Sequence, residues 1–253
     1  EGFLWLESIM KSAKKVLSPF QFGVFMKAGG EACVRAFQYE NDIWPAKIGE
    51  VDGINFFNTM ERPAIVQGAA LISPSYERYT ARRMSVPTVY YYYGASGTAQ
   101  TLETIIGTIQ GKFLSSLNTC LAMIPAQREF VNTIKYKYPD QHVVGAAADI
   151  AGSTIKQECL DLLPAPDFVD ANCNMPQVEK QSPISHVFLA LRAYIDNQTL
   201  RCPAVIYDAC KQILIALMEP LGVSFHVISD AWDSVAHPEG GFVTLGIPLW
   251  HGS

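Results

Sequence analysis

Five groups of residues have the types and spacing from which chemistry is built. Gly94-Ala-Ser-Gly97-Thr98 follows an aromatic stretch and precedes one that reads as helix. Glycines there would let backbone N–H groups close on a phosphate, with the helix N-terminus adding donors. Gly94, Ser96, Gly97 and Thr98 are therefore candidate cofactor contacts. A dinucleotide turn asks for another glycine three residues on, where Gln100 stands, and no Lys follows as in a triphosphate loop. An ordinary turn capped by Ser96 or Thr98 competes with that reading. Tyr207 and Lys211 are four apart and share a helix face. An ammonium there lowers a phenol's pKa and fits it for general acid work. Asp230, Asp233, His237 and Glu239 gather oxygen and imidazole ligands, although His237-Pro-Glu-Gly-Gly241 also reads as a turn. Arg78, Arg82 and Arg83 lie close to Tyr76 and Tyr79, a pairing that grips phosphates and stacks on bases. Tyr90, Tyr91, Tyr92 and Tyr93 form an unbroken aromatic run.

The Tyr207-Asp-Ala-Cys-Lys211 spacing resembles the Tyr-x-x-x-Lys pair of short-chain dehydrogenases. The resemblance implies an oxidoreductase with Gly94 and Gly97 at the cofactor phosphates and Tyr207 and Lys211 at the proton transfer. The sequence departs from that family in two places. The family's glycine turn lies near the N-terminus, and its serine falls where Tyr194 and Ile195 stand here. Asp149-Ile-Ala-Gly-Ser-Thr154 is similar to the first metal-binding strand of nucleotide cyclases, but no Gly-Asp turn follows at the right distance.

The elements that would position these groups are read from periodicity. Phe3, Leu6, Met10, Ala13, Val16 and Leu17 recur at helical spacing, so 3–17 is an amphipathic helix ended by Ser18-Pro19. A second helix is expected over 20–38, broken at Gly29-Gly30. Residues 43–63 read as irregular. Residues 64–72 read as a buried strand, and 86–93 more strongly as a strand, with Pro87 placing its start at an edge. Helix is expected over 98–123, and Pro125 opens another over 125–136. Four prolines make 164–183 a long loop. Helices at 184–195 and 203–218 and strands at 223–229 and 241–247 complete the chain. This describes a mixed α+β, helix-rich fold with a small sheet. Residues 1–60 form an N-terminal helical arm or subdomain, and 61–253 an α+β core.

The chain has 253 residues, 17% charged and 49% apolar, with a net charge of −5. That balance excludes global disorder, and the acidic sign excludes a surface made to wrap nucleic acid. No apolar run approaches the ~20 residues of a membrane span. Six cysteines without a C-x-x-C pair read as reduced thiols, not a zinc site or disulfide scaffold. The early lysines follow the apolar stretch instead of preceding it, so no signal peptide is read. An intracellular or virion setting is expected. Low charge, eleven tyrosines and a Tyr-laden edge strand match the composition of interfaces. The leading expectation is a non-enzymatic structural subunit that binds copies of itself, as in a viral or phage-like shell. It needs no cofactor or metal. Arg78, Arg82 and Arg83 would touch packaged nucleic acid, and Tyr90–Tyr93 would form the contact between copies.

Overall fold

The computed structural model describes residues 2–94, 97–110, 113–148, 154–173, 187–227, 231–245 and 247–250. Asp149, Ser96 and Asp230, singled out above, lie outside them.

The fold is α+β. The helices are α1 (Gly2–Leu17), α2 (Gly29–Ile43), α3 (Phe56–Thr59), α4 (Arg62–Ala70), α5 (Pro74–Met84), α6 (Phe113–Lys137), α7 (Gln157–Asp161), α8 (Pro166–Asn172) and α9 (Ala204–Met218). The strands are β1 (Lys47–Ile54), β2 (Thr88–Tyr93), β3 (Ala99–Thr104), β4 (His142–Val143), β5 (Val187–Tyr194), β6 (Asn197–Cys202), β7 (Ser224–Val227), β8 (Trp232–Asp233), β9 (Gly241–Thr244) and β10 (Ile247–Trp250). The main sheet runs β4-β5-β6-β1-β7, with β8 also pairing β1. Its pairings are antiparallel except β4 with β5.

Residues 1–60 do not stand off as an arm. β1 is hydrogen-bonded to β6 along one edge and to β7 and β8 along the other, which puts it in the middle of the main sheet. Prolines and glycines made this stretch read as irregular: Pro45 precedes β1, and Gly49 and Gly53 lie inside it. On α1, Ile9, Ala13 and Leu17 are buried at four-residue spacing while Lys11, Lys14 and Lys15 face water. That face packs against α6.

One face of the main sheet carries the larger core, built from Leu189, Leu191 and Leu200 of the strands under α1, α4, α6 and α9. The opposite face is closed by α2 and the β9–β10 hairpin, with Cys33, Val34, Phe37, Ile48, Ala190, Trp232 and Phe242 between them. All six cysteines are free, and five are buried.

Five expected elements are corrected. The strand expected over 64–72 is helical up to Ala70: α4 starts at Arg62-Pro63, and Gly68 brings its backbone against that of α6 at Leu121–Ala122, leaving no room for a Cβ. The helix expected over 98–123 is split into β3 and the start of α6. Pro125 lies inside α6 and does not open it; burial of Leu121, Met123, Ile124, Phe130 and Val131 around that helix holds it together across the lost hydrogen bond. Residues 187–194 are strand β5, buried on both faces. Within the expected loop 164–183, α8 is helical. Among the described residues no helix is long and apolar enough to cross a membrane.

Candidate functional site

The Tyr90–Tyr93 run forms most of β2. It pairs antiparallel with β3, from Thr88↔Thr104 to Tyr93↔Ala99, and the two strands make a sheet of their own. Directly opposed residues share a face. Tyr90, Tyr92 and Leu102 therefore lie on one side, and Val89, Tyr91 and Tyr93 on the other. Tyr91 is 72% and Tyr93 75% exposed, against 51% for Tyr92 and 59% for Leu102. On the Tyr92 side an open hollow of about 430 Å³ is lined by Asn58, Tyr90, Tyr92, Leu102, Thr104 and Ile106. β2 carries no charge, and β3 carries only Glu103.

The glycine turn is the tip of this hairpin. Gly97 N–H donates to the Gly94 carbonyl at 2.9 Å, and Gly97 has φ +74°, a left-handed conformation that favours glycine. The chain then runs into β3, not a helix. The phosphate reading of Gly94, Gly97 and Thr98 loses its helix N-terminus, and no helix follows for Thr98 to cap. β-propensity decided the matter: Thr101 and Leu102 are paired in register with Tyr91 and Tyr90, and Thr104 with Thr88.

A residue that sequence reasoning passed over holds the hairpin's root. Arg62 is buried at the start of α4. Its guanidinium donates to the carbonyls of Met84 (2.9 Å), Val86 (2.8 Å), Thr104 (3.0 Å) and Gly107 (3.3 Å), and to Thr88 Oγ1 (3.1 Å). One side chain thus ties the end of α5, the start of β2, the end of β3 and the segment beyond it to α4. All five acceptors are neutral and lie 22–45 residues away in sequence, so no charge pattern marked Arg62.

Arg78, Arg82 and Arg83 are exposed on α5, which Ser73 caps by accepting the Tyr76 N–H at 3.2 Å. Among the described residues no carboxylate lies within ion-pair distance of the three. Arg82 and Arg83 border a groove toward Val86–Val89. Deeper in, a cavity of about 300 Å³ is lined by Tyr79, Thr80, Arg83, Thr108, Ser115 and Asn118. Arg78 lines neither. Tyr76 hydroxyl donates to Asn118 Oδ1 at 2.6 Å, and the Tyr79 ring stacks on that of Tyr76.

The acid–base reading of Tyr207 and Lys211 does not hold geometrically. Both lie on α9, but Tyr207 is buried with its hydroxyl at Gly49 of β1. Burial pushes its phenol pKa up, the direction opposite to that required. Lys211 Nζ sits over the ring, 5.7 Å from its centre, and 3.5 Å from Asp208 Oδ1. The proposed ligands near 237 form a turn: Asp233 Oδ1 accepts the N–H groups of Val235 and Ala236 at 3.0 and 3.1 Å. His237 and Glu239 are solvated, their side chains 71% and 77% exposed.

Apart from Arg62, the buried charged groups among the described residues gather under α2. Arg192 donates to both carboxylate oxygens of Glu40, one of them at 2.7 Å, and its guanidinium lies 4.5 Å from the Phe37 ring centre. Arg201 donates to the carbonyls of Val187 (2.8 Å), Glu40 (2.9 Å) and Trp44. Burial pulls its pKa down to about 10. Glu50 on the same face has its carboxyl raised by burial, partly opposed by a hydrogen bond from Thr244. Cys33 beside them is pushed up to about 12, chiefly by burial, which keeps it a thiol. No family model matches the chain, and no curated protein matches its sequence.

Proposed function

We propose that this protein is a non-enzymatic structural subunit that self-associates into a larger assembly of the viral or phage-like shell kind. Copies join through the β2–β3 hairpin, and the basic strip of α5 faces packaged nucleic acid. One observation carries the reading. A two-stranded sheet with rings on both faces projects its tyrosines into solvent, with Tyr91 and Tyr93 about three-quarters exposed.

Isolated hairpins are marginal in water, and open strand edges attract further strands. Proteins that stay apart block such edges with charge; β2 has none. A second copy is the partner that fits, since a neutral tyrosine strand is complementary to itself. Tyr side chains bury about 150–250 Å² each, so a few from each copy supply most of the ~800 Å² per partner of a stable interface. Arg78, Arg82 and Arg83 are exposed without carboxylate partners among the described residues, which suits contact with phosphates on one side of an otherwise acidic chain.

The test is sedimentation velocity on the chain and on a Tyr91→Ser/Tyr93→Ser double variant. The expected result is a concentration-dependent oligomer that the double variant reduces to a 27.9-kDa monomer with an unchanged melting temperature. A wild-type chain that stays monomeric at tens of micromolar overturns the reading. So does a double variant that assembles normally.

A further inference from the structure

We propose that the cavity at the root of the hairpin seats one nucleotide of a single-stranded nucleic acid, with its base inside and its phosphate on Arg82 and Arg83. The inference deepens the nucleic-acid contact proposed for α5 and does not depend on the hairpin joining copies.

The cavity encloses about 300 Å³, the lower end of the range for small-molecule sites. Among the described residues its lining has one charged side chain, Arg83, at a place where the adjoining groove adds Arg82. Among the same residues no carboxylate borders either space, so none of them repels a phosphate there.

The interior is hydroxyl- and amide-bearing. Thr80 is only 1% exposed and lines the cavity, and the one group its Oγ1 interacts with is the Tyr76 hydroxyl, which is itself committed to Asn118. A buried hydroxyl held by a single strained partner gains from a ligand that supplies a better one. Asn118 lines the same space. Its Oδ1 already accepts the Tyr76 hydroxyl, so what it offers a ligand is the NH₂ donor. Thr108 Oγ1 and Ser115 Oγ, 2.8 Å apart, complete the polar wall.

The face needed for stacking is also present. The Tyr79 ring, 37% exposed, borders both the cavity and the groove, with the Tyr76 ring stacked on it from within. A donor amide, a buried hydroxyl and an aromatic face are what a heteroaromatic base requires, and guanidiniums at the rim are what its phosphate requires. The base has to be out of its stack to enter, so the ligand is single-stranded.

The spacing on α5 explains how one short helix supplies these parts. Tyr76, Thr80 and Arg83 follow one another by four and three residues and share a face. Tyr79 and Arg82 lie one position behind, along the edge that borders the groove.

The experiment is fluorescence anisotropy with a labelled oligouridylate of about a dozen nucleotides, an oligothymidylate of equal length and a duplex of the same length, over a range of salt. Single strands are expected to bind at least tenfold more tightly than the duplex. Arg83→Gln should weaken binding and lower the salt slope by about 0.7, the loss of one phosphate contact. Thr80→Val should weaken it about fivefold with the slope unchanged, and Thr80→Ser should restore it. Tyr79→Leu, at a half-exposed ring, should cost about tenfold. Single strands that bind no better than duplex overturn the proposal. Arginine variants that weaken binding while Thr80→Val and Tyr79→Leu do not would overturn the base seat and leave the phosphate contact standing. Light scattering on the same samples reads assembly separately.

Discussion

The main sheet and the β2–β3 hairpin distribute charge and aromatic rings in opposite ways. Between the main sheet and α2 the chain buries Glu40, Glu50, Arg192 and Arg201, and meets them with ion pairs, carbonyls and a threonine hydroxyl from within. On the hairpin it exposes Tyr91, Tyr92, Tyr93 and Leu102 and gives them no cover. Buried charges whose partners are all internal serve the fold. Exposed rings on a strand without charge add nothing to the fold of a single copy, and that is why the proposed function is placed on the hairpin and not on the charged network. Arg62 stands between the two regions. It is buried like the network, but its donors are spent on fixing the hairpin's root.

The largest effect expected within the fold comes from breaking the network. Arg192→Met strands the Glu40 carboxylate in a buried site and should destabilise the protein by about 3–5 kcal/mol, read as a lower urea midpoint. A loss below about 1 kcal/mol would mean that water reaches Glu40 and would erase the contrast with the hairpin.

Arg62→Met should cost less, about 1–3 kcal/mol, because the freed carbonyls at 84, 86, 104 and 107 lie beside a segment that water can enter. The loss should be local. Limited proteolysis near residues 94–98 should quicken, while amide exchange in β1, β5 and β6 stays slow. Equal loss of protection in the main sheet would show that hairpin and body unfold as one unit.

The smallest effect concerns Glu50. Burial holds its carboxyl above the ordinary value, with Asp52 adding to the shift and Thr244 opposing it. The folded protein therefore keeps this proton to higher pH than the unfolded chain does. Its contribution to stability falls as pH rises from the unfolded value through the folded one. Glu50→Gln should raise the melting temperature near pH 8 and leave it unchanged near pH 3.5. An equal shift at both pH values would assign the gain to packing and not to charge.

Much of the architecture was legible where a single face is buried. α1 and α9 show the helical repeat because one side of each meets the core and the other meets water. β2 was legible because Thr88, Val89 and four tyrosines favour a pleated backbone whatever their surroundings. The elements read wrongly are those whose environment is uniform. β5, from Val187 to Tyr194, is buried on both faces and shows no alternation. α4 is a short apolar run that periodicity cannot tell from a strand, and its identity rests on the contact of Gly68 with α6. β1 reads as irregular chain because Gly49 and Gly53 lie inside it and Pro45 and Pro63 flank it, while the strands that pair with it on both edges are distant in sequence. At the candidate site, the tyrosines and arginines were visible as residue types. Arg62, Thr80 and Asn118 were not, since nothing near them in the chain announces what they meet.

By itself the sequence determined that this is an α+β protein of low charge, with an aromatic strand and a basic stretch close together in the chain. Those properties are local, carried by side-chain type and by spacings of two to four residues. Only the tertiary structure decided that the aromatic strand stands apart from the main sheet, that Tyr207 is buried against β1 with the Lys211 ammonium over its ring, and that a polar cavity opens beside Arg83. Each of these depends on which distant groups satisfy a buried donor or cover a ring, and that is settled when the layers pack.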